Sequence, residues 1–182
     1  LGSIYKIVDI VMTMINSVLD VTRLEQDQMP VNKEPTDLVP IINDVLDMLT
    51  PKTSKHIMTF NQSDDSISAH CDPGITRRVI TNLVMNAASF TPPNSEVEIS
   101  IQPAPQEVVV QFKDNGPGIS PEDQEKIFDK FGFAGDRRDR KQHSVGLGLA
   151  FCKLAMESQG GKIGLYSKLG EGSTFWVSFP VA

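Results

Sequence analysis

Val108-Val-Val-Gln-Phe-Lys-Asp-Asn-Gly-Pro-Gly-Ile119 is the stretch on which the fold turns. Val108, Val110 and Phe112 recur with period two and so line one face of a half-buried strand. Val97, Ile99 and Ile101 do the same just upstream, and a turn around Pro103–Gln106 joins the two strands. Asp114 follows directly on the second strand. Taken alone, Asp-Asn-Gly is a common turn. Gly116 and Gly118 fit either a position that needs φ > 0 or a close backbone approach.

Outward from this core the pattern alternates between strand and helix. Thr36 or Asp37 caps a helix carrying Leu38, Ile41, Ile42, Val45, Leu46 and Leu49 on its inner side, and Pro40 is tolerable in the first turn. Short strands follow near 56–61 and 66–71. Asp72-Pro73 then opens a helix to about Ser89. Ser120-Pro-Glu-Asp123 reads as an N-cap opening a short helix through Phe128. Residues 132–145 are polar and charged, without periodicity. A helix from about Gly146 to Ser158 ends at Gly160-Gly161. Two strands near 162–167 and 173–179 form a hairpin turned by Lys168–Gly172.

Residues 1–28 read as one helix. Ile4, Val8, Val11, Ile15 and Val18 recur at alternating gaps of four and three, with Ile7, Met14 and Val21 in a neighbouring row. So wide an apolar surface needs partners, either in a helical bundle or by packing on its own domain. Pro30 and Pro35 mark an extended linker after it. The chain opens in helical register without Met, as a portion of something longer would.

Composition narrows the class. The 182 residues are 40% apolar and 22% charged, which fits one soluble domain plus a short appendage. A net charge of −6 argues against nonspecific binding to nucleic acid or to an anionic membrane. Cys71 and Cys152 lie far apart, which disfavours a metal site or a disulfide framework and favours a reducing compartment. Asp9 and Asp20 interrupt the N-terminal apolar stretch, so no run approaches the roughly 18 residues of a membrane span.

Four segments then matter as an ordered set: Asn82-Leu-Val-Met-Asn86-Ala, Asp114-Asn-Gly-Pro-Gly-Ile119, Gly146-Leu-Gly148-Leu-Ala150 and Gly170-Glu-Gly172-Ser-Thr174-Phe. In this order they resemble the catalytic, ATP-binding domain of sensor histidine kinases, within the superfamily shared with gyrase, Hsp90-type chaperones and MutL-type proteins. Val18-Leu-Asp-Val-Thr-Arg-Leu-Glu25 is similar to the end of the second dimerisation helix of those kinases. The resemblance implies that residues 1–30 are part of a dimerisation domain and residues 31–182 the catalytic domain. It also implies a two-layer α/β sandwich, with a mixed sheet of about five strands, helices on one face, and ATP between helix and lid. A homodimer through residues 1–28, a response-regulator receiver domain as partner, and a cytoplasmic setting for this portion follow from the same likeness. Any membrane attachment would lie upstream.

The resemblance also distributes roles. Asp114 would accept from the exocyclic amine of adenine, where guanine presents a carbonyl. Asn86 would hold Mg²⁺ through its side-chain oxygen, and Asn82, four residues earlier on the same helical face, would border that pocket. Gly146, Leu147 and Gly148 would open a helix whose free N–H groups suit phosphate. Gly116, Gly118, Ile119 and Phe131 would line the nucleotide. Gly170, Gly172 and Thr174 would shape a hairpin behind the pocket, with Thr174 in the binding set. Arg137, Arg138, Arg140 and Lys141 are lid candidates for phosphate. Each of these has a plainer reading as a turn, a polar helix stripe, core packing or a charged surface loop.

Three positions depart from the family pattern. Ser89 stands where a Lys is usual, Phe133 where an Arg is common, and Ser144 at the first Gly of the glycine-rich loop. The first two remove cations that could steady a γ-phosphate. ATP-hydrolysing relatives carry a Glu general base at the position of Asn82, and an amide cannot take that proton at neutral pH. Phosphoryl transfer therefore reads better than hydrolysis. His56, His70 and His143 lack the helical context of the family's phosphoacceptor, so no catalytic histidine is assigned. Two alternatives stay open: a degenerate nucleotide-sensing or scaffold module, and a gyrase- or Hsp90-like ATPase.

Overall fold

A computed structural model describes residues 2–134 and 146–182. In chain order they form α1 (Gly2–Glu25), β1 (Glu34–Asp37), α2 (Leu38–Thr53), β2 (Ile57–Gln62), β3 (Ser68–Cys71), α3 (Pro73–Phe90), β4 (Glu96–Pro103) and β5 (Glu107–Asp114). A single 3-10 turn (Lys126–Phe128) precedes α4 (Gly148–Ser158), β6 (Lys162–Lys168) and β7 (Gly172–Pro180).

Period-two patterning builds the main sheet. Its five strands run in the order β2-β4-β5-β7-β6, with β2 parallel to β4 and every other pair antiparallel. Register aligns the apolar rows: Ile99 faces Phe112, Phe112 faces Phe175, and Phe175 faces Leu165. That row packs under α2, α3 and α4 on one side of the sheet, giving the two-layer sandwich. The alternate residues, among them Glu98, Lys113, Thr174 and Tyr166, lie on the other side.

Side-chain caps fix where the helices start. Asp37 accepts the Val39 N–H at 3.1 Å to open α2. Asp72 accepts the Ile75 N–H at 2.9 Å to open α3, with Pro73 in the first turn. The other oxygen of Asp72 accepts the Asn32 N–H at 2.8 Å, which ties the segment after α1 to the start of α3.

Three expectations need correction. The extended linker around Pro35 contains a strand: β1 pairs antiparallel with β3, Thr36 opposite Ala69. It is an edge strand, where proline removes no needed donor. The segment after Ser120 does not become a helix through Phe128. Ser120 donates to Asp123 at 3.1 Å, and Gln124 spends its amide on the Ile119 and Ser167 carbonyls, each at 3.0 Å. Finally, α4 starts at Gly148 because Gly146 has φ of +71° and lies outside the helix.

The long helix α1 divides along its length. Val21 and Leu24 are 1% and 7% exposed within the domain core, whereas Val11, Met12, Ile15, Val18 and Leu19 are exposed. Its last turns therefore pack on the domain, while those apolar side chains from Val11 to Leu19 stay bare. No described helix is long and apolar enough to cross a membrane.

The junction of β5 and β7 is tight. Gly172 has φ of +91°, and a Cβ there would be driven into the Asp114 carbonyl oxygen. Gly170 has φ of +80° with nothing within 4 Å of such an atom. Gly172→Ala should therefore cost about 2–4 kcal/mol from strain plus backbone clash, and Gly170→Ala about 1 kcal/mol from strain alone. Urea unfolding of the two variants checks the difference, and equal losses would refute the clash.

Candidate functional site

Asp114 ends β5 with its side chain under the helices, 4% exposed. Its Oδ1 accepts the Gly116 N–H at 2.8 Å. Burial pushes the carboxyl above the ordinary carboxylate range, and the backbone N–H groups of Gly116 and Ser173 counter part of that push. A carboxylate kept from water with only backbone donors around it has acceptor capacity left for a ligand N–H.

The turn after Asp114 is held from outside. A Cβ on Gly116 would lie 2.7 Å from Asp114 Oδ1 and 2.9 Å from the Phe90 carbonyl oxygen, so glycine lets this turn press against the end of α3. Gly118 packs in the same way beneath the Lys168 carbonyl. The Ile119 N–H donates to Ser167 Oγ at 2.8 Å, and that hydroxyl lies 3.0 Å from Ser173 Oγ. Ile119 is thereby anchored to the β6–β7 hairpin and packs against the core.

Across α3, Asn82 and Asn86 are both half-buried and share one face. Asn82 looks onto the start of α4: a Cβ on Gly148 would meet its Oδ1 at 3.8 Å, an ordinary contact. Gly148 thus differs from Gly116 and Gly118, since its bare backbone is not explained by protein packed on it. Leu147, the residue before it, is 2% exposed and gives the helix no side-chain cap. Among the described residues, no side chain caps the first amides of α4.

Behind these amides α3 and α4 are locked together. Gln159, 1% exposed, accepts from the Asp72 N–H at 2.7 Å and donates to the Ala155 carbonyl at 3.0 Å. Cys152 Sγ lies 3.8 Å from the Val79 carbonyl oxygen, beside Asn82, and burial pushes its thiol up to about 12. It is a packing residue, since the nucleophile would be the thiolate.

Phe131 and Gly146 bound the segment that lies outside the described residues. The Phe131 N–H donates to the Gly146 carbonyl at 2.9 Å, and Phe131 adopts φ of +60° with its ring exposed. Arg137, Arg138, Arg140, Lys141, His143 and Ser144 fall within that segment.

One site residue is misplaced by the sequence reading. Thr174 pairs with Lys113 and Tyr166 on the helix-free side of the sheet, whereas Asp114 pairs with Ser173. Thr174 therefore stands with its back to the pocket, and Ser173 takes its place beside the carboxylate. Parity could have found this: Ser173 keeps step with Phe175, Val177 and Phe179, which are all buried. His56 and His70 sit in other contacts. His56 Nε2 lies 3.2 Å from the Thr91 carbonyl oxygen, and His70 sits in β3 opposite Pro35.

The residues present suit a purine nucleotide with a divalent cation. Asp114 supplies a sequestered acceptor, Gly148 leaves donors open at a helix start, and Asn86 offers an amide oxygen on the helix between them. A cavity of about 670 Å³ lined by Gln124, Lys126, Asp129, Lys153, Glu157 and Trp176 shares none of these residues. It is a charged surface hollow separate from these residues.

The chain belongs to the histidine kinase-, DNA gyrase B-, and HSP90-like ATPase family, whose profile matches residues 71–182. Within that family its relatives include a sensor protein and histidine kinases. It is 34% identical to the sensor protein SrrB of Staphylococcus aureus over 173 residues, covering 92% of this chain and 29% of SrrB. The chain thus spans under a third of the length of that curated relative. Its fold matches the Acinetobacter baumannii histidine kinase AdeS at a TM-score of 0.82, with 20% identity over 99% of this chain and 83% of that one. The catalytic domain of the histidine kinase ThkA matches at 0.72, with 26% identity over 82% of this chain and 96% of that one. Full-length ShkA in complex with AMPPNP matches at 0.81, with 24% identity over 94% and 36% respectively.

Asp114 carries a testable cost. Its folded-state affinity for a proton exceeds the unfolded one, so its contribution to stability is present at low pH and declines as pH rises through the window above the ordinary carboxylate value. Asp114→Asn should raise the ligand-free melting temperature at pH 7. The gain should vanish below about pH 4, where both side chains are neutral. A lower melting temperature for the variant at pH 7 would mean that the charge is held favourably.

Proposed function

We propose that this chain is the ATP-binding catalytic portion of a sensor histidine kinase, presenting the γ-phosphate to a histidine supplied from outside these 182 residues. The observation that carries the reading is the sequestered Asp114 carboxylate, anchored by backbone N–H groups at the end of β5, with Asn82 on α3 set beside Gly148 at the start of α4. Asp114 accepts from the adenine amine. The amides from Gly148 onward hold the phosphates, and Asn82 and Asn86 border them from α3. Mg²⁺, when bound, neutralises charge on the phosphate oxygens, with Asn86 as its protein ligand. Arg137, Arg138, Arg140 and Lys141 remain candidates for phosphate contact.

The transfer itself is positional chemistry. A neutral imidazole nitrogen attacks the γ-phosphorus in line as the bond to the β–γ bridging oxygen breaks, ADP leaves, and the imidazole proton is lost. Relay to a response-regulator aspartate would follow. Residues 1–30 are proposed as part of a dimerisation domain, with residues 31–182 as the catalytic domain. The exposed Val11, Ile15 and Val18 of α1 favour a homodimer through this helix. The portion would be cytoplasmic.

A second reading keeps the nucleotide but not the transfer. Ser89 is exposed and carries no charge where the family usually places a Lys, and Phe133 replaces a common Arg. Such a chain would sense or scaffold.

Calorimetry is the primary test. ATP should bind in preference to GTP, and Asp114→Asn should weaken ATP by about 1–3 kcal/mol through loss of a buried charged acceptor. Equal ATP and GTP affinities would end the assignment of Asp114. Asn86→Ala should abolish the Mg²⁺-dependent part of ATP binding, and an unchanged Mg²⁺ effect would remove Asn86 from the site. Radiolabelled ATP with a supplied histidine-bearing dimerisation helix separates the two readings. Acid-labile, base-stable label marks a kinase, and binding without label marks a sensor or scaffold.

A further inference from the structure

Arg78 joins three helices. It projects from α3 four residues before Asn82 and eight before Asn86, on the stripe those amides share. Its Nη1 lies 2.6 Å from Oδ2 of Asp20 on α1. Its guanidinium carbon sits 4.0 Å from the ring centroid of Phe151 on α4. Phe151 is buried, three residues beyond Gly148.

The surroundings make this more than a surface ion pair. Exposed pairs contribute little, but the Asp20 side chain is only 18% exposed, and Val21 and Leu24 beside it are buried in the domain core. Arginine stacks on an aromatic face while its nitrogens bind a carboxylate, two tasks that a lysine does not combine. A second tie lies one turn on: Glu25 pairs with Lys130 at 2.6 Å, directly before the Phe131–Gly146 bridge. The helix ends firmly there. Asp27 takes φ of +52°, and the Gln28 N–H donates to the Arg23 carbonyl at 2.8 Å, so a shift of α1 is not absorbed by fraying.

We propose that Arg78 is a positioning residue that couples the docking of α1 to nucleotide binding. Asp20 holds the guanidinium over Phe151, and the guanidinium fixes α3 against α4 so that Asn82 faces Gly148. The inference rests on the nucleotide-binding reading above. Docked α1 and bound nucleotide then favour each other, and by linkage each shifts the other by the same factor.

Asp20 lies on α1, outside the candidate site, so Asp20→Asn breaks the pair without altering the pocket. Calorimetric titration with Mg²⁺–ADP should give about a fivefold weaker Kd in Asp20→Asn, with recovery in Asp20→Glu. Arg78→Lys, which keeps the charge and loses the stack, should weaken binding in the same direction. Hydrogen exchange reads the reciprocal effect: saturating Mg²⁺–ADP should slow exchange in residues 20–25 of the wild type but not of Asp20→Asn. An unchanged Kd in Asp20→Asn overturns the coupling, as does exchange at 20–25 that ignores nucleotide in the wild type. A wild type that binds no Mg²⁺–ADP overturns the nucleotide reading as well, and the wild-type titration tells that failure apart.

Discussion

The pairing of Asp114 with Ser173 is the contact on which the rest of the domain depends. It joins the end of β5 to the start of β7, sets the register that places Phe112 opposite Phe175, and fixes the strand end from which the buried carboxylate projects. Gly172 makes the approach possible, and its neighbours continue the consequence outward. Ser167 accepts the Ile119 N–H and donates to the Gly172 carbonyl at 2.9 Å, so the turn after Asp114 and the β6–β7 hairpin form one unit. A ligand held by Asp114 is thus held by the sheet itself. Sites on rigid elements keep tighter geometry than sites on loops, because the backbone beneath them has few alternatives.

The α3–α4 side of the candidate site is made differently. The α3–α4 pair is held by buried polar side chains, chiefly Gln159, which satisfies two elements at once. Such a group is costly if left unpaired and so specifies one arrangement. The two sides thereby divide the work. The sheet side presents a buried acceptor in a fixed place, and the helix side presents backbone amides at a helix start.

Much of this was legible in the residues. The strands around Val97–Ile101 and Val108–Phe112 follow from period two, and α3 from an Asp-Pro start. The placements of Asn82 on a helix face, Asp114 at a strand end and Gly148 at a helix start could be read because they depend on local geometry. What escaped depended on register or on distant partners. Thr174 was placed by the resemblance of the segment Gly170–Phe175, whereas strand parity puts Ser173 on the side of Asp114. Strand β1 hid because Pro35 looks like linker until β3 is there to pair with it. Arg78 could not be singled out, since its two partners lie far along the chain, on α1 and α4. The end of α1 was ambiguous for the same reason: an apolar stripe says that a helix needs partners, not which ones.

Cys71 and Cys152 are both fully enclosed, and burial raises both thiols so that neither offers a thiolate at neutral pH. Alkylating agents and mild oxidants consequently meet no reactive sulfur in the closed domain. Cys152 lies on α4 within the α3–α4 contact, and Cys71 on β3 just before α3. The rate at which each sulfur becomes labelled is therefore a clock for the parting of a particular seam. The two clocks would run together if the domain opens as one body and apart if the helices lift from each other first.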